Sequence, residues 1–168
     1  MSNKKIIFHH IRNSTSKITY DGVTILIDPF LAPKEYYPRF GSSPTLEQKK
    51  KRVPLVDLPM PKEEVVKKVQ AVIITHTHYD HWDEFAAKTI PKQTPIFVQN
   101  ASYKQLILNQ GFKDIRVVGV NTPFKGITIT KTPAQHGCDE MMCIPSWAEM
   151  CSDCMGFFLK HLDKKLFM

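Results

Sequence analysis

The chain has 168 residues, 42% of them hydrophobic and 23% charged, with a formal net charge of +7. That length fits one domain with a real core, and the composition is that of a globular protein, not of a disordered or fibrous one. No apolar run reaches a membrane span, and Ile6-Ile7-Phe8 is too short for a signal peptide, so the expectation is a cytoplasmic protein with no membrane partner.

Lys4 to Ile11 reads as a first strand that carries His9 and His10 as structural residues. Ser16 to Tyr20 and Val23 to Ile27 flank Asp21-Gly22, a strong two-residue hairpin signal. Ile25 and Ile27 share one face of the second strand, with Leu26 on the other, and Asp28-Pro29 ends it. Pro29 to Pro61 is long, irregular and rich in proline and aromatics, which suits a functional loop. Lys34, Tyr36, Tyr37 and Arg39 could reach a substrate from it, although tyrosines more often pin a loop to the body. The run Lys49-Lys50-Lys51-Arg52 reads as a solvated loop before a phosphate or RNA contact.

Pro61 opens a short helix with Glu63 and Glu64 near its positive end and Val65, Val66 and Val69 on its apolar side. Ala71 to Ile74 reads as a strand buried on both faces. Asp83 is placed to cap a helix through about Thr89, and Asn100 to cap another through Asn109 with Leu106 and Ile107 inward, stopped by Gly111. Strands are expected at Pro95 to Val98, Ile115 to Val118 and Gly126 to Lys131, where Ile127 and Ile129 alternate with Thr128 and Thr130. Residues 138 to 154 read as irregular. Met155 to Leu159 and Lys165 to Phe167 read as two strands joined at Asp163-Lys164. Helices alternating with strands give an α/β class, in one domain over residues 1–168.

Between two of these elements lies Thr75-His76-Thr77-His78-Tyr79-Asp80-His81-Trp82-Asp83. His76 and His78 are two apart, which in extended chain points both imidazoles the same way. Asp80 and His81 follow from the turn. A polar loop rich in histidine is the competing reading. Imidazoles and a carboxylate at the end of a buried strand are poor packing residues, so metal ligation is the stronger one. His136, inside Gln135-His136-Gly137 at a strand end, reads as a further ligand. His161, on a candidate strand, reads as a surface residue. Cys138, Cys143, Cys151 and Cys154 are clustered, but only Cys151 and Cys154 form a C-x-x-C pair, so reduced thiols are expected in preference to a zinc cluster.

The spacing His76-x-His78-x-Asp80-His81 after a strand resembles the signature of the metallo-β-lactamase-fold hydrolases. Ile27-Asp28-Pro29, the run from Pro54 to Pro59, His81-Trp82-Asp83, the run from Pro95 to Asn100 and Gln135-His136-Gly137 look like the branch that includes the L-ascorbate-6-phosphate lactonases. The resemblance implies an αββα sandwich, here the N-terminal portion of the family domain, incomplete at its C-terminus. It implies a first metal site of His76, His78 and His136, with Asp80 and His81 starting a second whose remaining ligands lie beyond this chain. The metal implied is divalent, zinc first by imidazole ligation, with manganese or iron as alternatives.

The activity implied is metal-assisted hydrolysis of a small anionic ester, lactone or phosphorylated metabolite, with Asp80 as the catalytic carboxylate that orients the water or takes its proton. Two alternatives stand beside it: a nuclease of the same fold acting on RNA, and a non-catalytic metal-binding remnant. The resemblance also makes an exposed C-terminal sheet edge an expectation, with Phe157, Leu159 and Phe167 uncovered and self-association through those strands.

Overall fold

The computed structural model describes residues 6–39, 45–145, 153–161 and 164–168. In chain order the elements are β1 (Ile6–Arg12), β2 (Thr15–Tyr20), β3 (Val23–Ile27), β4 (Tyr37–Pro38), α1 (Leu46–Lys50), β5 (Arg52–Val53), α2 (Lys62–Val66), β6 (Ala71–Ile74), α3 (Glu84–Thr89), β7 (Ile96–Val98), α4 (Ala101–Asn109), β8 (Ile115–Val117), β9 (Thr122–Phe124), β10 (Ile127–Ala134), α5 (Asp139–Met142), β11 (Cys154–His161) and β12 (Lys164–Phe167).

Six strands form one sheet in the order β1-β2-β3-β6-β7-β8. The first three are an antiparallel meander, and β3, β6, β7 and β8 run parallel. The β2–β3 hairpin turns at Asp21 and Gly22, both at positive φ, as the Asp-Gly signal predicts. A second, antiparallel sheet has the order β12-β11-β10-β9.

Alternation of side chains sorts the strands between two apolar layers. Leu26, Val72, Ile74, Ile96 and Val98 join Val65, Ala86, Ile90, Tyr103 and Ile107 from α2, α3 and α4. On the other side of the same strands, Ile25, Ile27, Ile73 and Phe97 pack against Phe124, Ile127, Ile129, Met155, Phe157 and Leu159 of the smaller sheet. β6 therefore faces apolar neighbours on both sides, and all its residues are buried. Each fully buried Val, Leu, Ile, Phe or Met among them contributes about 1.5–3 kcal/mol of burial. The result is the mixed α/β fold expected. Its described layers run helix, sheet, sheet, and no described helix adds a side chain to the inter-sheet core.

The caps fall where the polar residues predict them. Asp83 accepts from the Ala86 amide at the start of α3, and Asn100 accepts from the Tyr103 amide at the start of α4. Several expectations need correction. In α4 the inward residues are Tyr103 and Ile107, while Leu106 is largely exposed, because the apolar stripe runs i, i+4 from Tyr103. The 29–61 loop contains β4, α1 and β5, and residues 138–154 contain α5, so neither is wholly irregular. Phe157 and Leu159 are buried between the sheets; of the three residues expected at an uncovered edge, only Phe167 is exposed. Cys151 and Asp163 lie outside the described residues.

The loop pins are aromatic, as the tyrosines suggest. Tyr37 stacks on Tyr79 with ring centroids 4.4 Å apart, and the Tyr36 hydroxyl donates to Glu84. Lys50, Lys51 and Arg52 are exposed, and Arg52 donates to the carbonyls of Glu35 and Tyr36, so it fastens the loop.

Candidate metal centre

Parallel strands share one C-terminal edge, and polar residues that follow them collect there. Asp28 follows the end of β3, Thr75 follows the end of β6, and β10 delivers His136 to the same edge. The Met155 amide donates to the Thr75 carbonyl at 3.3 Å, which ties the smaller sheet to the start of the histidine loop.

His76, His78 and His136 offer ligand atoms that all lie within 4.8 Å of one another. Their rings pack at centroid distances of 4.8 Å (His76–His78), 4.7 Å (His76–His136) and 5.2 Å (His78–His136). A second group, His76, Asp80 and His81, meets the same distance limit and shares His76 with the first. All five residues singled out from the sequence are thus brought together. Gly137 follows His136 at φ +111°, a conformation that turns the chain directly after that histidine.

His76 is the residue that tests whether a cation fits. It is 3% exposed, and its Nε2 is a buried nitrogen with no hydrogen-bond partner among the described residues. Such an atom costs about 1–3 kcal/mol if left unsatisfied. Burial first, then the neighbouring His81, His78 and His136, push its pKa down to about 3, so the imidazole is neutral and its lone pair free near neutral pH. The donor set of imidazoles and one carboxylate is that of zinc and related divalent ions. Asp80 Oδ1 is likewise buried without a partner, and Asp80 Oδ2 lies 3.9 Å from His81 Nε2.

Asp28 is the residue that sequence reasoning did not place in the site. It is 4% exposed and accepts from the Thr75 amide (2.7 Å), the Thr75 hydroxyl (2.7 Å) and His81 Nδ1 (2.9 Å). That last bond fixes the ring so that Nε2 of His81 faces the cluster. Burial opposes the charge on His81, but the Asp28 hydrogen bond and the charges of Asp28 and Asp80 outweigh it and raise the pKa. The Asp-Pro strand end was the available signal, read only as a terminator.

Asp83 holds the far side of the loop. Beyond its cap it accepts from the amides of Leu31 (3.0 Å) and Ala32 (2.6 Å), so it binds the 29–39 segment to the histidine loop. Burial raises its carboxyl to about 6, against the pull of those three amides and of Arg12. Arg12, also buried, donates to the carbonyls of Phe30 and Ala32 at 2.8 Å. Among the described residues Cys138 and Cys143 are exposed free thiols, and Cys154 is half-buried on β11.

A layered α/β fold with a histidine-rich candidate metal site at the strand ends defines a metallo-hydrolase architecture. The chain belongs to the beta-lactamase superfamily, whose domain matches residues 23–168. It is 36% identical over 156 residues to the protein YddR of Bacillus subtilis (strain 168), covering 93% of this chain and 58% of that one. Among solved structures it is similar to a possible metal-dependent hydrolase from Veillonella parvula DSM 2008, with 43% identity and a TM-score of 0.91, over 98% of this chain and 62% of that one. It is also similar to an isothiocyanate hydrolase from Delia radicum gut bacteria, with 40% identity and a TM-score of 0.86, over 95% and 60% of the two chains. The chain spans about three-fifths of the length of these relatives. No described helix is long and apolar enough to cross a membrane.

Proposed function

We propose that this chain carries the metal-binding portion of a hydrolase that turns water on an electrophilic carbon or phosphorus of a small anionic substrate. The observation that supports it is the buried, unpartnered Nε2 of His76 beside His78 and His136. These three residues would hold a divalent ion, which would supply Lewis acidity and lower the pKa of bound water toward neutrality. Asp80, with a buried free oxygen, orients the attacking water and takes its proton. His81, locked by Asp28, presents Nε2 toward the same space. Zinc is the favoured ion for this donor set, with manganese or iron as alternatives.

The substrate range covers esters, lactones of the ascorbate-phosphate kind and phosphorylated metabolites. The similarity to an isothiocyanate hydrolase adds the carbon of an N=C=S group, which is attacked by water in the same sense. One observation favours a narrower reading for the isolated chain. The two candidate ligand groups share His76, whose Nδ1 already lies 3.2 Å from the Thr75 hydroxyl. Nε2 of His76 serves a single ion, so the isolated chain binds one ion firmly and hydrolyses slowly. The test is elemental analysis of the purified chain, followed by turnover assays on a lactone, a phosphate ester and an isothiocyanate. One firmly bound metal per chain supports the proposal, and a chain that binds none defeats it.

A further inference from the structure

One strand away from the histidine loop, the inter-sheet gap opens into a cavity of about 540 Å³. Its walls include Gln99, Gly119, Val120, Lys131, Pro133 and Asp153. Strand alternation explains its polarity. Phe97 points into the inter-sheet core, and Gln99 follows it with the same parity past the end of β7. Ile127 and Ile129 point into that core from the other sheet, and Lys131 continues their face. An amide and an ammonium therefore replace apolar side chains where the two sheets part.

Neither is accounted for by the fold. Gln99 is 4% exposed, yet its side-chain amide has no hydrogen-bond partner among the described residues. The Lys131 ammonium makes one described hydrogen bond, to the Gln99 carbonyl at 3.3 Å, and has three N–H groups to give. Val120, Pro133 and Ala134 give the wall its apolar part, beside Thr132, Asp153 and Cys154. Among the described residues of the lining Asp153 is the one carboxylate, and Lys131 is the one cation.

Adjacent strands are about 4.8 Å apart, which puts the end of β7 beside the end of β6, where His76 lies. From the other sheet, Ala134 on the cavity wall is two residues from His136, at most about 7 Å of chain. A substrate arm seated in the cavity would leave its next few atoms over the histidines.

We infer that this cavity is a binding site for a short apolar arm ending in a carboxylate, held by Lys131 and the Gln99 amide, and that it selects the substrate of the neighbouring metal centre. The inference rests on the proposed hydrolase reading for its purpose but not for its test.

The test uses butyrate and its neutral analogue butyramide, titrated into the full chain after chelation of metal and followed by ¹H–¹⁵N spectra. Butyrate is expected to shift the Gln99 side-chain amide and Gly119 in a saturable way, with butyramide about tenfold weaker, the scale of one lost charge-assisted hydrogen bond. Lys131→Met should weaken butyrate by about the same factor, while Lys113→Met, an exposed lysine elsewhere, leaves it unchanged. Gln99→Glu keeps the shape, pairs with Lys131 and should abolish binding; it serves if Lys131→Met does not fold. Absence of a Gln99 shift, equal binding of butyramide, or equal weakening in Lys113→Met overturns the inference. Metal content measured before chelation separates the two claims: bound metal without butyrate binding sinks only the cavity, and butyrate binding without metal sinks only the metal centre.

Discussion

The inter-sheet gap has a histidine at each end, and the two are treated in opposite ways. At one end His161 Nε2 pairs with Asp21 Oδ2 at 2.9 Å, its ring meets Tyr20 edge-on at 6.1 Å, and its backbone amide donates to the Tyr20 hydroxyl at 3.2 Å. At the other end His76 is more deeply buried and its Nε2 has no partner among the described residues. A polar group that closes a fold is satisfied by the fold. A polar group left open in a buried place is kept open for something that arrives. His161, expected at the surface, belongs to the first kind and clamps the β2–β3 turn to the end of β11.

The largest separation between the two ends should come from removing each ring. His76→Ala is expected to strip most of the metal from purified protein, read by elemental analysis. His161→Ala should leave the metal in place and lower unfolding stability by about 1 kcal/mol in denaturant titration, because Asp21 loses its half-buried partner. Unchanged metal in the first variant, or metal loss in the second, would break the comparison.

Asp28→Asn comes next. It keeps the shape of the carboxylate but weakens the grip on His81, and support of this kind is worth about 10–100-fold in metal affinity. Competition with a chelator of known affinity measures it. An unaltered affinity would reduce Asp28 to a residue that merely fastens Thr75.

The smallest effect is one of pH. In the metal-free chain the folded state holds His76 at about 3, below its ordinary 6.5. The unfolded chain therefore binds more protons as pH falls below 6.5, and His76 makes folding less favourable through that window. Its contribution vanishes above 6.5. The raised pKa values of His81 and Asp83 act in the opposite direction. The slope of stability against pH from 6.5 downward should accordingly be shallower in metal-free His76→Ala than in the parent. Equal slopes would mean that the ring is not a desolvated neutral imidazole.

Much of this was legible because it is local. The β2–β3 turn needs two adjacent residues that accept positive φ. The caps at Asp83 and Asn100 reach three residues ahead. The histidine loop spans six positions after a strand too apolar for any edge. What was not legible depends on register between distant segments. Asp28 meets His81 across 53 positions, through the parallel pairing of β3 and β6. His161 meets Tyr20 across 141, through the stacking of two sheets. The phase of α4 failed for a smaller reason: Leu106 and Ile107 are adjacent, a helix face admits one of them, and Tyr103 decides which.

The central claim is that three imidazoles from two sheets converge on one ion. X-ray absorption at the zinc edge of the zinc-loaded chain addresses it directly. The account predicts a first shell of nitrogen and oxygen at about 2.0–2.1 Å with the outer scattering of about three imidazoles, reduced by one in His136→Ala. A shell containing sulfur at about 2.3 Å, which would place the metal on the cysteines, or a shell without imidazole scattering, would contradict it.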